Sequence, residues 1–432
     1  MRGTTVDLLS PEILTRVLQY AAGSSCYSVD EWRDQQLPLL SVCRRWRALI
    51  SSQVLSQLYI SLEERGPAAA RRSCSSSGTD ADGGIEDDMR IVSNLGVATS
   101  HGRHADIKAL DIKTEDPRDI TSFFERVAQM LGARALSWKS IETLRVSFLL
   151  DELAIGTDSS SAKHADMDGK TVQVCEGLVH LMPNISRIEI MGTSKCSESA
   201  MVMGRLVDMY AQQLRHLDTS LPLPLMSAQF SDRLVHLGME LDEGVEMQFP
   251  FVCAPSLQYL SLGNATESAI WHSFYGSTGS RGVTFSSLKR LCINFAADSE
   301  RLSGDADERF PLDTLNFPEL ETLTVDMCPA ASELLARASF PDLLKTLRVV
   351  GPLAGSMTLT NVAFGATSRK SICKHIAAGT SDGDDGLCTP NFFLGPSPIA
   401  GHASLHIGST ARLPANVAVT WPSLAELQID AK

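Results

Sequence analysis

The stretch Ala254-Pro255-Ser256-Leu257-Gln258-Tyr259-Leu260-Ser261-Leu262 carries the fold of this chain in miniature. Pro255 sets a bend and cannot continue a helix. Leu257, Leu260 and Leu262 then follow as apolar-x-x-apolar-x-apolar, ending in the alternation of a strand. The same triplet recurs at Ile107/Leu110/Ile112, Ile141/Leu144/Val146, Ile185/Ile188/Ile190, Leu214/Leu217/Thr219 and Leu234/Leu237/Met239. It continues at Leu288/Leu291/Ile293, Leu320/Leu323/Val325, Leu344/Leu347/Val349 and Leu424/Leu427/Ile429. Successive triplets are 20 to 44 residues apart, with one gap of 80 before the last. Self-similarity in this range marks a repeat architecture. Phe317-Pro318-Glu319-Leu320, Phe340-Pro341-Asp342-Leu343 and Trp421-Pro422-Ser423-Leu424 repeat the proline entry. The physical reading is one short strand per unit, stacked in parallel at about 4.8 Å, with the triplet inward. Helices are expected between strands at Ile120 to Leu131 and Met201 to Leu214. The Gly/Ser/Asp-rich insertions at 155–171 and 376–402 read as loops.

Upstream of the array the pattern changes to helical. Ser10-Pro11-Glu12 offers a cap, a proline suited to the first helical position and an acid at the positive dipole end. Ile13, Leu14, Val17, Leu18 and Ala21 follow on one face. Leu39, Val42, Cys43, Trp46, Leu49 and Ile50 give a second helix over 37–50, and Ser51-Ser52 opens a short third one through Leu58. Residues 1–62 are expected as a helical module and 93–432 as the array. Between them, 63–92 holds Ser73-Cys74-Ser75-Ser76-Ser77-Gly78 and Glu86-Asp87-Asp88, the composition of a disordered linker.

Two features of these segments resemble known families. Leu9-Ser10-Pro11-Glu12-Ile13-Leu14, then Val17-Leu18, then Val42-Cys43-Arg44-Arg45-Trp46-Arg47 resemble an F-box. The triplets resemble degenerate leucine-rich repeats, with only Asn264 and Asn294 near the place of that family's asparagine. Together they resemble an F-box protein with C-terminal leucine-rich repeats. The fold so implied is α/β: a small N-terminal helical F-box module, then an irregular leucine-rich-repeat solenoid with a parallel sheet on its concave face. The function implied is substrate recognition for a Skp–cullin–F-box type ubiquitin ligase, with no enzyme activity of its own. The partners implied are a Skp-type adaptor, through it a cullin ubiquitin ligase, and a protein substrate. The adaptor would be held by Leu9, Pro11, Ile13, Leu14, Val17, Leu18, Leu40, Val42, Cys43 and Trp46. The alternative is a non-degradative leucine-rich-repeat scaffold whose N-terminal helices only cap the array, as stacked repeats require.

The residue before each second anchor of a triplet faces away from the core. In five consecutive units that residue is Arg187, His216, His236, Tyr259 and Arg290. This basic and aromatic column is the candidate substrate-binding site, suited to an acidic or phosphorylated segment. Arg145, Glu189, Asp218 and Arg348 stand in the neighbouring column and can neutralise it.

Composition narrows the rest. The chain has 432 residues, 44% of them hydrophobic and 21% charged, so wholesale disorder is excluded. A net charge of −13 speaks against nucleic acid and anionic membrane as partners. The first residues lack a signal-peptide run, and no apolar stretch reaches 18 residues, so a cytoplasmic and/or nuclear protein is expected. None of the ten cysteines lies within ten residues of another, which removes CxxC spacing. No phosphate loop, dinucleotide fingerprint or nucleophile elbow occurs. His101 and His104 lack completing ligands, and the acids from Asp298 to Glu308 lack calcium-loop spacing. No cofactor and no metal are expected.

Overall fold

The structure is a computed structural model. It describes residues 10–21, 32–64, 89–100, 102, 104–114, 120–133, 138–148, 164–192, 197–221, 223, 230–241, 254–265, 283–295, 315–326, 331, 334–335, 338–341, 343–350, 356–363, 403–408 and 424–430. Two compact units emerge, Met1–Gln213 and Leu214–Lys432. Each is built on mostly parallel strands that neighbour one another in linear order.

Unit 1 opens with α1 (Pro11–Ala21), a π-helical turn at Trp32–Gln36, α2 (Leu37–Ser41) and α3 (Arg44–Val54). β1 (Gln57–Glu64) and β2 (Met89–Ser93) follow, then α4 (Leu95–Ser100). Three strand–helix pairs complete it: β3 (Ala109–Thr114) with α5 (Ile120–Gly132), β4 (Thr143–Phe148) with α6 (His164–Leu181), and β5 (Arg187–Met191) with α7 (Ser197–Tyr210). The strand order is β2-β1-β3-β4-β5, parallel except for β2. Parallel neighbours need long crossovers, and here α5 and α6 provide them. α5 packs on α6, and α6 on α7. The inward residues Leu110, Ile112, Leu144, Val146, Ile188 and Ile190 are buried, as are Phe123, Phe124, Val127 and Leu131 of α5. The Trp138 indole donates to the Leu131 carbonyl at 3.1 Å, tying the end of α5 to the entry of β4.

Unit 2 contains β6 (His216–Thr219), β7 (His236–Glu240), β8 (Tyr259–Ala265), β10 (Arg290–Phe295), β12 (Thr322–Asp326) and β13 (Leu343–Val350), all parallel neighbours in that order. β14 (Ser356–Ala363) runs antiparallel to β13 and to β15 (Ala403–Gly408), which pairs in parallel with β16 (Leu424–Asp430). A second, two-stranded sheet joins β9 (Val283–Thr284) to β11 (Leu315–Asn316). Directly after these strands in sequence come Phe285 and Phe317, which stack with Phe340 in a row with centroids 5.3 and 5.5 Å apart. Phe285 and Phe317 stand three residues before the first anchor of their triplets, Leu288 and Leu320. The chain is only 6% aromatic, yet the largest fully buried side chains are mostly aromatic.

One joint is copied from strand to strand. Two successive N–H groups entering a strand donate to one carbonyl at the start of the strand before it. In unit 1, Glu142 and Thr143 share the Lys108 carbonyl, and Ser186 and Arg187 share that of Glu142. In unit 2, Gln258 and Tyr259 share the Val235 carbonyl, and Lys289 and Arg290 share that of Gln258. This joint sets equal register despite unequal spacing in sequence.

Several details differ from the sequence reading. β1 runs through the boundary expected at 62, because Leu55, Leu58 and Ile60 form one more triplet, all buried. β2 begins inside the expected linker, whose residues 65–88 lie outside the described residues. The single helix expected over 37–50 is broken at Val42–Cys43, and α3 continues past Ser51-Ser52 only to Val54, Leu58 of the expected third helix lying in β1. α6 occupies part of the loop expected at 155–171. Thr171, Val174, Cys175 and Leu178 give it a buried face at helical spacing. Among the described residues no helix is long and apolar enough to cross a membrane.

Candidate functional site

α1 begins where Ser10 caps it. The Ile13 N–H donates to the Ser10 hydroxyl at 3.4 Å and the Leu14 N–H to the Ser10 carbonyl at 2.9 Å. The backbone at Glu12 and the Ser10 hydroxyl hold the Glu12 carboxyl below its usual range. The helix then divides its apolar residues between two faces. Leu14 and Leu18 are buried with Trp32, Leu40, Val54, Leu55 and Tyr59. The Trp32 indole donates to the Val54 carbonyl at 3.1 Å within this cluster. Ile13, Val17 and Tyr20, at i, i+4 and i+7, remain 53%, 49% and 91% exposed.

The ten residues nominated for adaptor binding therefore separate. Ile13, Val17 and Val42 present apolar surface outward, and Pro11 is exposed at the helix start. Leu14, Leu18 and Leu40 face inward and hold the helices together. Trp46 is half-buried against the same cluster. Cys43 is half-buried too, its sulfur accepting from the Trp46 N–H at 3.5 Å. Leu9 lies outside the described residues.

Of the substrate column, unit 2 brings four members into one row. His216 pairs in register with His236, His236 with Tyr259, and Tyr259 with Arg290. The two imidazoles stack at 3.7 Å and 19°, and His236 stacks on Tyr259 at 4.1 Å and 6°. Burial pushes the Tyr259 phenol upward, an effect opposed by a hydrogen bond from Ser261. Arg290 is exposed at the end of this row. Carboxylates occupy the next rows. Asp218 Oδ2 lies 3.9 Å from His236 Nε2. Glu240, half-buried, is pushed up by burial.

Glycines admit these carboxylates. Asp218 is in register with Gly238, and a Cβ there would lie 2.2 Å from Asp218 Oδ1. Glu240 is in register with Gly263, and a Cβ there would lie 2.3 Å from Glu240 Oε1. The carboxylate-over-glycine pairs escape a reading of the sequence, because residues 20 and more apart meet only once the register is known.

Arg187 belongs to unit 1, where its guanidinium is engaged by Glu189. Glu189 also accepts from Arg145 Nε at 2.6 Å, and Arg145 reaches Asp111 Oδ1 at 3.3 Å. Burial acts to raise Glu189, but the two guanidiniums outweigh it and hold the carboxyl low. Asp111 has one such contact, at longer range, and burial pushes it up to about 6. Arg187 is thus part of a neutralised network.

No protein-family model matches this sequence, and no curated protein matches it either. His104 sits in a short 3-10 turn, while His101 and the acids from Asp298 to Glu308 lie outside the described residues.

Proposed function

We propose that this chain is the substrate-recognition adaptor of a Skp–cullin–F-box type ubiquitin ligase, without catalytic residues of its own. The observation that carries this reading is the outward stripe Ile13, Val17 and Tyr20 on α1, with Val42 exposed at the junction of α2 and α3. Helical spacing of exposed apolar anchors suits docking into a partner's hydrophobic groove. The N-terminal helices hold a Skp-type adaptor by this stripe. The parallel strands, read as degenerate leucine-rich repeats of a solenoid, present their outward rows to a protein substrate. Tethering then raises the effective concentration of substrate at the transfer enzyme. The expected compartment is cytoplasmic and/or nuclear.

The rival is a non-degradative scaffold whose helices only cap the array. What favours it is Tyr59 of β1, which shares a buried cluster with Leu14 and Leu18. Co-purification with a Skp-type adaptor separates the two. The wild type retains the adaptor, and Ile13→Asp with Val17→Asp loses at least about tenfold of it while the far-ultraviolet spectrum is unchanged. Exposed positions are chosen because truncating Trp46 would disturb the interior. A wild type that never retains the adaptor removes the proposal and leaves the scaffold.

A further inference from the structure

We propose that His216, Asp218 and His236 form a binding site for a divalent transition-metal ion, zinc being the probe of choice. The three residues offer one donor atom each, all within 4.8 Å of one another. Two imidazoles and one carboxylate suit zinc and its neighbours better than magnesium or calcium, which prefer all-oxygen sets.

The fold builds this arrangement from register alone. His216 and Asp218 are two apart on β6 and share its outward face. His236 stands opposite His216 on β7, and the fourth corner, opposite Asp218, is Gly238. Any side chain at 238 would collide with the carboxylate, so glycine lets Asp218 lean over β7 toward His236. Zinc–ligand bonds of about 2.0–2.2 Å place two donors on one ion roughly 3–4 Å apart. The 3.9 Å between His236 Nε2 and Asp218 Oδ2 already falls there. The His216 nitrogen lies within 4.8 Å of both other donors, so a small approach of the three side chains closes the set.

The surroundings suit a partly open site. The Asp218 side chain is 57% exposed and that of His236 22%, so water can complete the coordination. Tyr259 lies flat against His236 and covers one face of its ring. The site is independent of the adaptor reading, because its residues lie in unit 2 and the apolar stripe in unit 1.

The test uses the full chain, stripped with chelator and kept reduced. It is titrated with zinc by calorimetry and with cobalt(II) by absorption. The wild type binds one zinc through this site, and cobalt gives d–d bands of nitrogen and oxygen ligands without a thiolate charge-transfer band. Asp218→Asn weakens zinc binding at least tenfold, and His216→Gln with His236→Gln abolishes it. Gly238→Ala weakens binding with all three donors present, an effect specific to this geometry. The far-ultraviolet spectrum and adaptor retention stay unchanged in each variant. Absence of zinc binding in the wild type overturns the proposal. So does equal binding in the double variant, or a thiolate band in the wild type, which assigns the ion to some of the ten cysteines.

Discussion

Asp111 shows how one side chain reports on its setting. Its carboxyl is pushed up to about 6 by burial, against 3.8 in an unfolded chain. Between those values the folded protein holds a proton that the unfolded chain has released. This contribution to stability is therefore full below pH 3.8 and is lost as pH rises to about 6. Asp111→Asn does not titrate. The stability of the wild type relative to this variant should fall by an amount on the order of 2–3 kcal/mol across that window. Urea unfolding at several pH values measures it, and a flat difference would contradict the burial described. Glu189 acts in the opposite sense, lending stability that is lost on acidification, and it is common to both proteins. At this scale the sequence was informative about columns and silent about pairs. His216 and His236 are legible as neighbours in one row, and Glu189 as a residue able to neutralise Arg187. The collision between Asp218 and a side chain at 238 is not legible, since it depends on a carboxylate leaning across strands.

At the scale of the element, α1 is the sharpest case. Its apolar residues look like a single amphipathic face in sequence, but the structure assigns Leu14 and Leu18 to the interior and Ile13 and Val17 to solvent. Leu18→Ala should destabilise unit 1 by about 2–5 kcal/mol, the cost of a cavity in a packed cluster. Val17→Ala should change stability by less than about 0.5 kcal/mol, as is usual at the surface. Chemical denaturation of the two variants checks this, and similar losses would mean that α1 is rotated about its axis. The triplets were legible because a period of two over a buried face survives in any register. β1 escaped because its triplet Leu55/Leu58/Ile60 is joined directly to helical sequence. α6 escaped because its polar start resembles loop composition, and its buried face begins only at Thr171.

At the scale of the whole molecule, charge dominates. The formal charge is −13. Net charge of this sign opposes association with polyanions. The chain should pass through immobilised heparin or DNA without retention near 0.15 M salt, where screening extends over about 8 Å. Retention there would reveal a concentrated basic patch. The α/β class and the parallel strand order were legible from the triplets and the distances between them. The division at Gln213 was not, because the triplets on either side of it have the same form.

The carbonyl shared at successive strand entries has a consequence for what the connections between strands must supply. Val235 receives the N–H pair of Gln258 and Tyr259 in the way Gln258 receives the pair of Lys289 and Arg290. Donor and acceptor are backbone groups, indifferent to side-chain identity. The joint itself therefore places no demand on side-chain identity at the strand entry. Strands reached by connections of very different length meet their neighbours in the same way, and substitutions at the entry residues leave the joint's donors and acceptors in place.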